Sequence, residues 1–190
     1  MNRTLILIFV LMLAAAGLIA LYLQPQTAPS QPVATPSLAQ STLSMTAPTQ
    51  VNGTSTYQSN VVINTGGNKA IAAQIELNYN SSDISVSDIT PGPFFKSPDE
   101  LFKKIDSAND RVSYALGAGL GQKGVQGTGV VAVLTFTKLK TTGTTTIGFN
   151  PKSLVSAEGI AKSVLSRTTG VTFSLSSPSA TPATGTSSAK

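Results

Sequence analysis

Asn60-Val61-Val62-Ile63-Asn64-Thr65-Gly66-Gly67-Asn68-Lys69-Ala70-Ile71-Ala72-Ala73-Gln74-Ile75-Glu76-Leu77-Asn78-Tyr79 is the stretch that decides the fold class. It reads as two strands joined by a tight turn. In the second half Ile71, Ala73, Ile75, Leu77 and Tyr79 share one face, while Ala70, Ala72, Gln74, Glu76 and Asn78 share the other. A sustained period of two marks a strand with one face in a core. Thr65-Gly66-Gly67-Asn68 supplies the turn, because glycine reaches positive φ without steric cost.

Around this unit lies a chain of 190 residues whose two ends are compositionally unusual. Setting them aside leaves roughly 135 residues, one domain of ordinary size, large enough to build a core without disulfide or metal staples. Only 11% of the residues are charged, and Thr, Ser and Gly are abundant, which fits an extracellular β-protein better than a cytosolic enzyme. The chain has no Cys and no His. That excludes disulfides, a thiol nucleophile, thiolate zinc sites and Ser-His-Asp or Cys-His catalysis. The net charge of +5 includes Arg3 and Lys190; without them 11 basic residues stand against 8 acidic ones, and only Lys103-Lys104 are adjacent. With no basic stripe beside aromatic partners, nucleic acid is not an expected partner.

Leu5 to Leu23 is nineteen residues without a charge. As a helix it would span about 28 Å, close to the hydrocarbon thickness of a bilayer. Residues 1–23 are therefore read as a signal anchor and transmembrane helix. The competing reading is a cleaved signal peptide with Ala14-Ala15-Ala16 at the cleavage site; the apolar run continuing from Gly17 to Leu23 favours the anchor. Arg3 keeps the head inside, so the expected location is a single-pass cell-membrane protein with its C-terminal domain extracellular, or secreted if the signal is cleaved. Residues 24–41 carry Pro25, Pro29, Pro32 and Pro36 among Gln, Thr, Ser and Ala, a solvated linker reaching roughly 50 Å. Residues 177–190 read as a disordered Ser, Thr, Pro and Ala tail.

The folded part is then 42–176. Strands are expected at Thr42 to Thr46, Thr56 to Asn64, Ala70 to Tyr79, Ile84 to Ile89, Arg111 to Gly117, Val130 to Lys138, Thr144 to Asn150, Ala161 to Leu165 and Val171 to Leu175. The fourth slips its alternation at Asp88-Ile89, which predicts a bulge. Ser97-Pro98-Asp99-Glu100 opens with a cap, a first-position proline and two acids, so a short helix is expected through Ile105. Nine short strands with frequent turns specify an all-β, antiparallel β-sandwich.

Several motifs fall short of their chemistry. Gly119-Leu120-Gly121-Gln122-Lys123-Gly124 matches a dinucleotide fingerprint, but an apolar β-branched strand follows where a helix is required, so a flexible hairpin loop is the better reading. Asp106-Ser107-Ala108-Asn109-Asp110 is rich in oxygen ligands but lacks calcium-loop spacing, and reads as a polar turn. No two of the eight carboxylates are placed as a glycosidase pair. No metal or cofactor is expected. Asn52-Gly53-Thr54 and Asn80-Ser81-Ser82 fit glycosylation acceptors and also read as turns.

A more informative constellation is apolar excess on outward phases. If Ala132, Leu134 and Phe136 face the core, Val131 and Val133 face out; on the third strand Ala70 and Ala72 face out with Gln74 and Glu76 beyond them; on the fifth, Ser113 and Ala115 do the same. If the three strands are sheet neighbours, these eight residues form a flat patch with a polar rim, suited to a protein partner. The alternatives are that a loop or the short helix covers it, or that β-propensity alone placed the valines.

The order of features resembles the cohesin domain. The matching residues are Val61 to Gly67, Ala73 to Tyr79, Ile84 to Val86, Pro91-Gly92-Pro93-Phe94-Phe95, Gly127-Thr128-Gly129 and Leu134 to Thr137. The resemblance covers about Thr42 to Leu175 and implies a nine-stranded sandwich of jelly-roll topology. It also implies a dockerin-bearing partner, seated on the sheet that includes the third, fifth and sixth strands. Two outward positions often polar in that family align with Ala72 and Gln74, and the alanine departs from the pattern. A carbohydrate ligand, polysaccharide in particular, is the alternative on a related sandwich. It wants exposed aromatic rings; Tyr57, Tyr79 and Tyr114 fall on inward phases, leaving Phe94, Phe95 and Phe102.

Overall fold

The structure, a computed structural model, describes residues 40–176. The expected anchor at 1–23, nearly all of the linker at 24–41 and the tail at 177–190 lie outside the described residues. Two sheets stack face to face. One runs β11-β1-β3-β8-β5 with β2 added beside β3; the other runs β12-β9-β4-β7-β6 with β10 added beside β4. The strands are β1 Ser41–Met45, β2 Thr49–Gln50, β3 Thr56–Asn64, β4 Ala70–Asn78, β5 Ile84–Pro91, β6 Asp99–Asp106, β7 Arg111–Gly117, β8 Thr128–Lys138, β9 Thr144–Phe149, β10 Leu154–Ala157, β11 Leu165–Thr169 and β12 Val171–Ser174. The architecture is thus the expected all-β sandwich, with twelve strands among the described residues where nine were expected. The pairing is antiparallel except that β1 and β11 run parallel.

Period-two alternation places the core as read except at Ile71, expected inward, which the pairing with β10 skips between Ala72 and Ala70 and which is only partly buried. Ala73, Ile75, Leu77 and Tyr79 of the β4 segment, Val112, Tyr114 and Leu116 of β7, and Ala132, Leu134 and Phe136 of β8 are all buried between the sheets. The slip in β5 is a bulge at Ser87, where the register jumps from Val86 opposite Phe136 to Asp88 opposite Thr135. Two lysines close gaps between the layers. Lys103 Nζ of β6 lies 3.3 Å from Asp88 Oδ1 and 3.3 Å from the Ile89 carbonyl oxygen of β5. Lys138 Nζ sits 4.3 Å from the Tyr57 ring centroid and donates to the Ser174 carbonyl oxygen at 2.9 Å.

The opening unit is not a hairpin. β3 pairs with β1, β2 and β8, whereas β4 pairs with β7, β9 and β10. The Gly66-Gly67 turn therefore carries the chain from one sheet to the other. Both glycines have positive φ, 58° and 91°, and the Asn68 N–H donates to the Thr65 carbonyl oxygen at 3.0 Å. A Cβ at Gly66 would collide with the Gln40 carbonyl oxygen, while one at Gly67 would meet open space.

Three other expectations are corrected. Asp99 to Asp106 forms a strand, not a helix, because it pairs along its length with β7. Backbone pairing to an existing sheet outweighs a local cap signal. The expected strand at Ala161 to Leu165 is mostly connection, the real strands being β10 before it and β11 after it. The glycine-rich segment after β7 is not a hairpin loop either: it leads from β7 in one sheet to β8 in the other.

The turn glycines and the bonded aspartates each carry a prediction. Gly66→Ala should destabilise the domain by about 2 kcal/mol or more and Gly67→Ala by about 1 kcal/mol, since only the first adds a collision to the positive-φ strain; urea unfolding of both variants checks the order. The Lys140 ammonium holds Asp83 below the usual carboxylate range, Lys104 and Asn109 do the same for Asp106, and Ser81 for Asp110. Their folded values lie below their unfolded ones, so their contribution is intact above about pH 5 and lost as pH falls through the depressed values. The melting temperature should be flat from pH 7 to about pH 5 and fall below about pH 4, and Lys140→Met should blunt that fall.

Candidate functional site

The outer face of β10, β4, β7 and β6 carries the candidate site. Cross-strand partners share a face, so the registers set out its rows. One runs Leu154, Gln74, Ala115, Phe102; the next runs Ser156, Ala72, Gly117, Asp99; a third joins Glu76, Ser113 and Lys104. Leu101 is an extra residue in β6, inserted between Glu100 opposite Leu116 and Phe102 opposite Ala115. Its Cδ1 lies 3.8 Å from where a Cβ on Gly117 would sit, over the same face as Ala72. Small side chains thus floor the middle, with Leu154 on one margin and Leu101 and Phe102 on the other. Four strands span about 14 Å between these margins.

Exposure marks the margin on β6. Leu101 is 65% and Phe102 52% exposed, in a domain whose other large apolar side chains are mostly in the core. Leu120 is fully exposed beside them, its N–H donating to Asp99 Oδ2 at 3.1 Å.

The polar end is built around Glu76. The residue is 7% exposed, and no Lys or Arg pairs with it among the described residues. Gln74 Nε2 donates to Oε1 at 3.0 Å and Ser113 Oγ donates to Oε2 at 2.6 Å. Ser113 stands directly opposite on β7, and Gln74 two residues back on the same strand, which is why both reach it. With its amide nitrogen turned to Glu76, Gln74 presents its oxygen as a hydrogen-bond acceptor.

The eight residues singled out in the sequence do not form one surface. Ala72, Gln74, Glu76, Ser113 and Ala115 are brought together. Val131 and Val133 are on β8, which belongs to the opposite sheet, so the premise that the three strands are neighbours is overturned. Val133 sits half-buried between Asn60 and Thr90 on that other sheet. Val131 is fully buried: the register jumps from Val61 opposite Ala132 to Val62 opposite Val130, and the bulge turns Val131 inward. Ala70 is also fully buried, bridged to Val125 of the glycine-rich segment on one side and paired to Ala157 on the other. Leu101, Phe102 and Leu154 were missed as members of this face. The helix reading left Leu101 unremarked and held Phe102 only as a candidate aromatic for carbohydrate, and no local signal gave the bulge that turns both outward.

Elsewhere the chemistry is spent internally. Asp106 Oδ1 accepts from the N–H and side chain of Asn109, its Oδ2 accepts from Lys104 Nζ at 2.9 Å, and Asp110 Oδ1 accepts from the Ser81 N–H at 3.0 Å. No group of three or more acidic side chains is placed to hold a metal ion among the described residues. An open hollow of about 440 Å³ at one end is lined by Asn78, Asn80, Asp83 and Thr144 to Thr146, and its acid is already bonded to Lys140 at 2.6 Å. Of the three phenylalanines open to a carbohydrate reading, Phe95 is buried, Phe94 packs edge-on against it with centroids 5.0 Å apart, and only Phe102 is freely exposed.

Comparison with known proteins agrees with this architecture. The cohesin-domain family profile matches residues 42–173. The third cohesin ScaC of Acetivibrio cellulolyticus, solved in complex with the ScaB dockerin, superposes with a TM-score of 0.59 at 13% identity, covering 72% of this chain and 99% of that one. The solution structure of CaCohA2 from Clostridium acetobutylicum gives 0.57 at 16% identity, covering 73% and 92%. A non-cellulosomal cohesin from the archaeon Archaeoglobus fulgidus gives 0.55 at 14% identity, covering 72% and 91%. No curated protein matches. The matched region makes up 99%, 92% and 91% of these solved chains, and among the described residues the buried apolar core lies within residues 43–175, so residues 40–176 are the segment expected to fold alone. By its family match over most of its length and by its sandwich, this chain belongs to the cohesin family.

Proposed function

We propose that this protein is a tethered docking module, which captures a dockerin-bearing protein on the outer face of β10, β4, β7 and β6 and performs no catalysis. The observation that carries the reading is the pair Leu101 and Phe102, exposed beside a floor of Ala72, Ala115 and Gly117. Exposed apolar side chains next to small ones offer a partner both anchors and room, the arrangement found at interface hot spots. Relatives of this fold have been solved with dockerins bound. The Glu76 cluster adds direction: Gln74 offers an acceptor, so the partner's contribution there is a hydroxyl, amine or backbone N–H. Leu5 to Leu23 supports the tether, and the proline-rich linker would hold the module clear of the membrane surface, outside the cell.

Titration calorimetry of residues 40–176 against a panel of recombinant dockerins, the ScaB dockerin of Acetivibrio cellulolyticus among them, tests the docking face. Leu101→Asp with Phe102→Asp should weaken binding by about thirtyfold or more, near 2 kcal/mol, and Val133→Asp, on the opposite sheet, should change it less than about twofold. Unchanged binding by the double variant, or loss with Val133→Asp, contradicts the face. Binding to insoluble polysaccharide with no dockerin bound would favour the carbohydrate reading instead. For the tether, the full chain should sediment with membranes, and external protease should release the domain from intact cells; recovery in the cytosolic fraction contradicts it.

A further inference from the structure

β6 ends its sheet, bonded to β7 on one side and with no strand on the other among the described residues. Residues 99–104 are exposed along it. Open edges invite a further strand, and charge on an edge ordinarily discourages one. Here the charges stand in a self-complementary order. Asp99-Glu100-Leu101-Phe102-Lys103-Lys104 is two acids, two apolar residues and two bases. Laid antiparallel against itself, it sets opposite charges against each other.

We propose that β6 is a homodimerisation edge, pairing antiparallel with β6 of a second copy about a twofold axis between Leu101 and Phe102. Asp99 then faces the partner subunit's Lys104, Glu100 faces the partner subunit's Lys103, and Leu101 faces the partner subunit's Phe102.

In a straight strand this register fails, because it opposes residues of unlike parity, which point to opposite faces. The bulge removes that obstacle. Asp99, Phe102 and Lys104 pair with Gly117, Ala115 and Ser113 on the outer face, and Leu101 lies over Gly117 there too. Glu100 and Lys103 pair with Leu116 and Tyr114, both fully buried, and so point to the inner side. Every opposed pair in the proposed register therefore shares a face. Moving the register by one residue sets outward Leu101 against inward Lys103, and moving it by two sets Asp99 against Asp106. The outer charges are within reach of a second copy: Asp99 is exposed and accepts from the Leu120 N–H through Oδ2, and Lys104 pairs with Asp106 of its own strand among the described residues and remains 60% exposed. Lys103 is already held by Asp88 and the Ile89 carbonyl oxygen at 3.3 Å and by Glu100 at 3.5 Å, so the outer pairs carry the contact. The contact is short, about 20 Å of strand, and belongs to the small, weak class of interfaces. Self-association is expected at protein concentrations on the order of 0.1–1 mM in dilute solution. The dimer sheet would carry two candidate docking faces side by side.

Sedimentation velocity of residues 40–176 at low salt is the test. The wild type should shift toward dimer with rising concentration, and 0.5 M salt should weaken that shift, as about 4 Å of Debye screening acts on exposed pairs. Asp99→Lys alone and Lys104→Asp alone each oppose like charges, and each should weaken association at least about tenfold. An equimolar mixture of the two restores both outer charge pairs and should recover a heterodimer of wild-type strength. Both sites are exposed, and circular dichroism confirms folding of each variant. A wild type monomeric at 1 mM, a dimer indifferent to Asp99→Lys, or folded single variants whose mixture stays monomeric each overturns the proposal. No dockerin is present, so the outcome leaves the docking reading untouched.

Discussion

The corner from Thr65 to Asn68 makes two sheets into one molecule. Thr65 is fully buried there, and its carbonyl oxygen accepts from Ser41 Oγ at 2.8 Å and from the Asn68 backbone and side-chain nitrogens at 3.0 Å each. Its own N–H donates to the Gly127 carbonyl oxygen at 3.0 Å, and its hydroxyl accepts from the Gly127 N–H at 3.0 Å. Buried polar groups are costly unless paired, and this node pairs them across β1, the β3–β4 crossing and the start of β8. It therefore fixes where β4 begins and which of its faces meets the core. Everything on the candidate surface inherits its position from that register.

Bulges do the remaining aiming. One in β8 turns Val131 into the core, and one in β6 turns Leu101 outward beside Phe102. Both are single extra residues that reverse the phase of a strand. The first removes an apolar residue from the surface, and the second adds two to it. Three of the four exposed large apolar side chains are consequently on β6 and the Leu120 loop, near the small-residue floor of β4 and β7, the fourth being Leu139 after β8. Glu76 sits at its polar end with both carboxylate oxygens satisfied by neutral donors. A partner can cover this end without leaving those oxygens unbonded.

Period-two alternation made the inner faces of β4, β7 and β8 legible from residues alone, because it is set by local backbone geometry. Sheet membership was not, since alternation says which way a side chain points and nothing about which strand lies alongside. Hence Gly66-Gly67 looked like a hairpin turn, and Val133 was grouped with Gln74 although they face away from each other on different sheets. The β6 error has a different origin. Ser97-Pro98-Asp99-Glu100 carries true helix-start chemistry, but Glu100 to Asp106 finds a ready edge in β7, and long-range pairing prevails over a weak local preference. The members of the site that lay on regular strands were therefore readable, and those placed by a bulge or an edge were not.

Hydrogen–deuterium exchange of residues 40–176 with and without a bound dockerin tests the docking face most directly, because it locates contact without mutation. The account predicts slowed exchange in β6, β7 and the Leu120 loop, with β3, β5 and β8 unchanged. Protection confined to β3, β5 and β8, on the sheet that carries Val133, would contradict it.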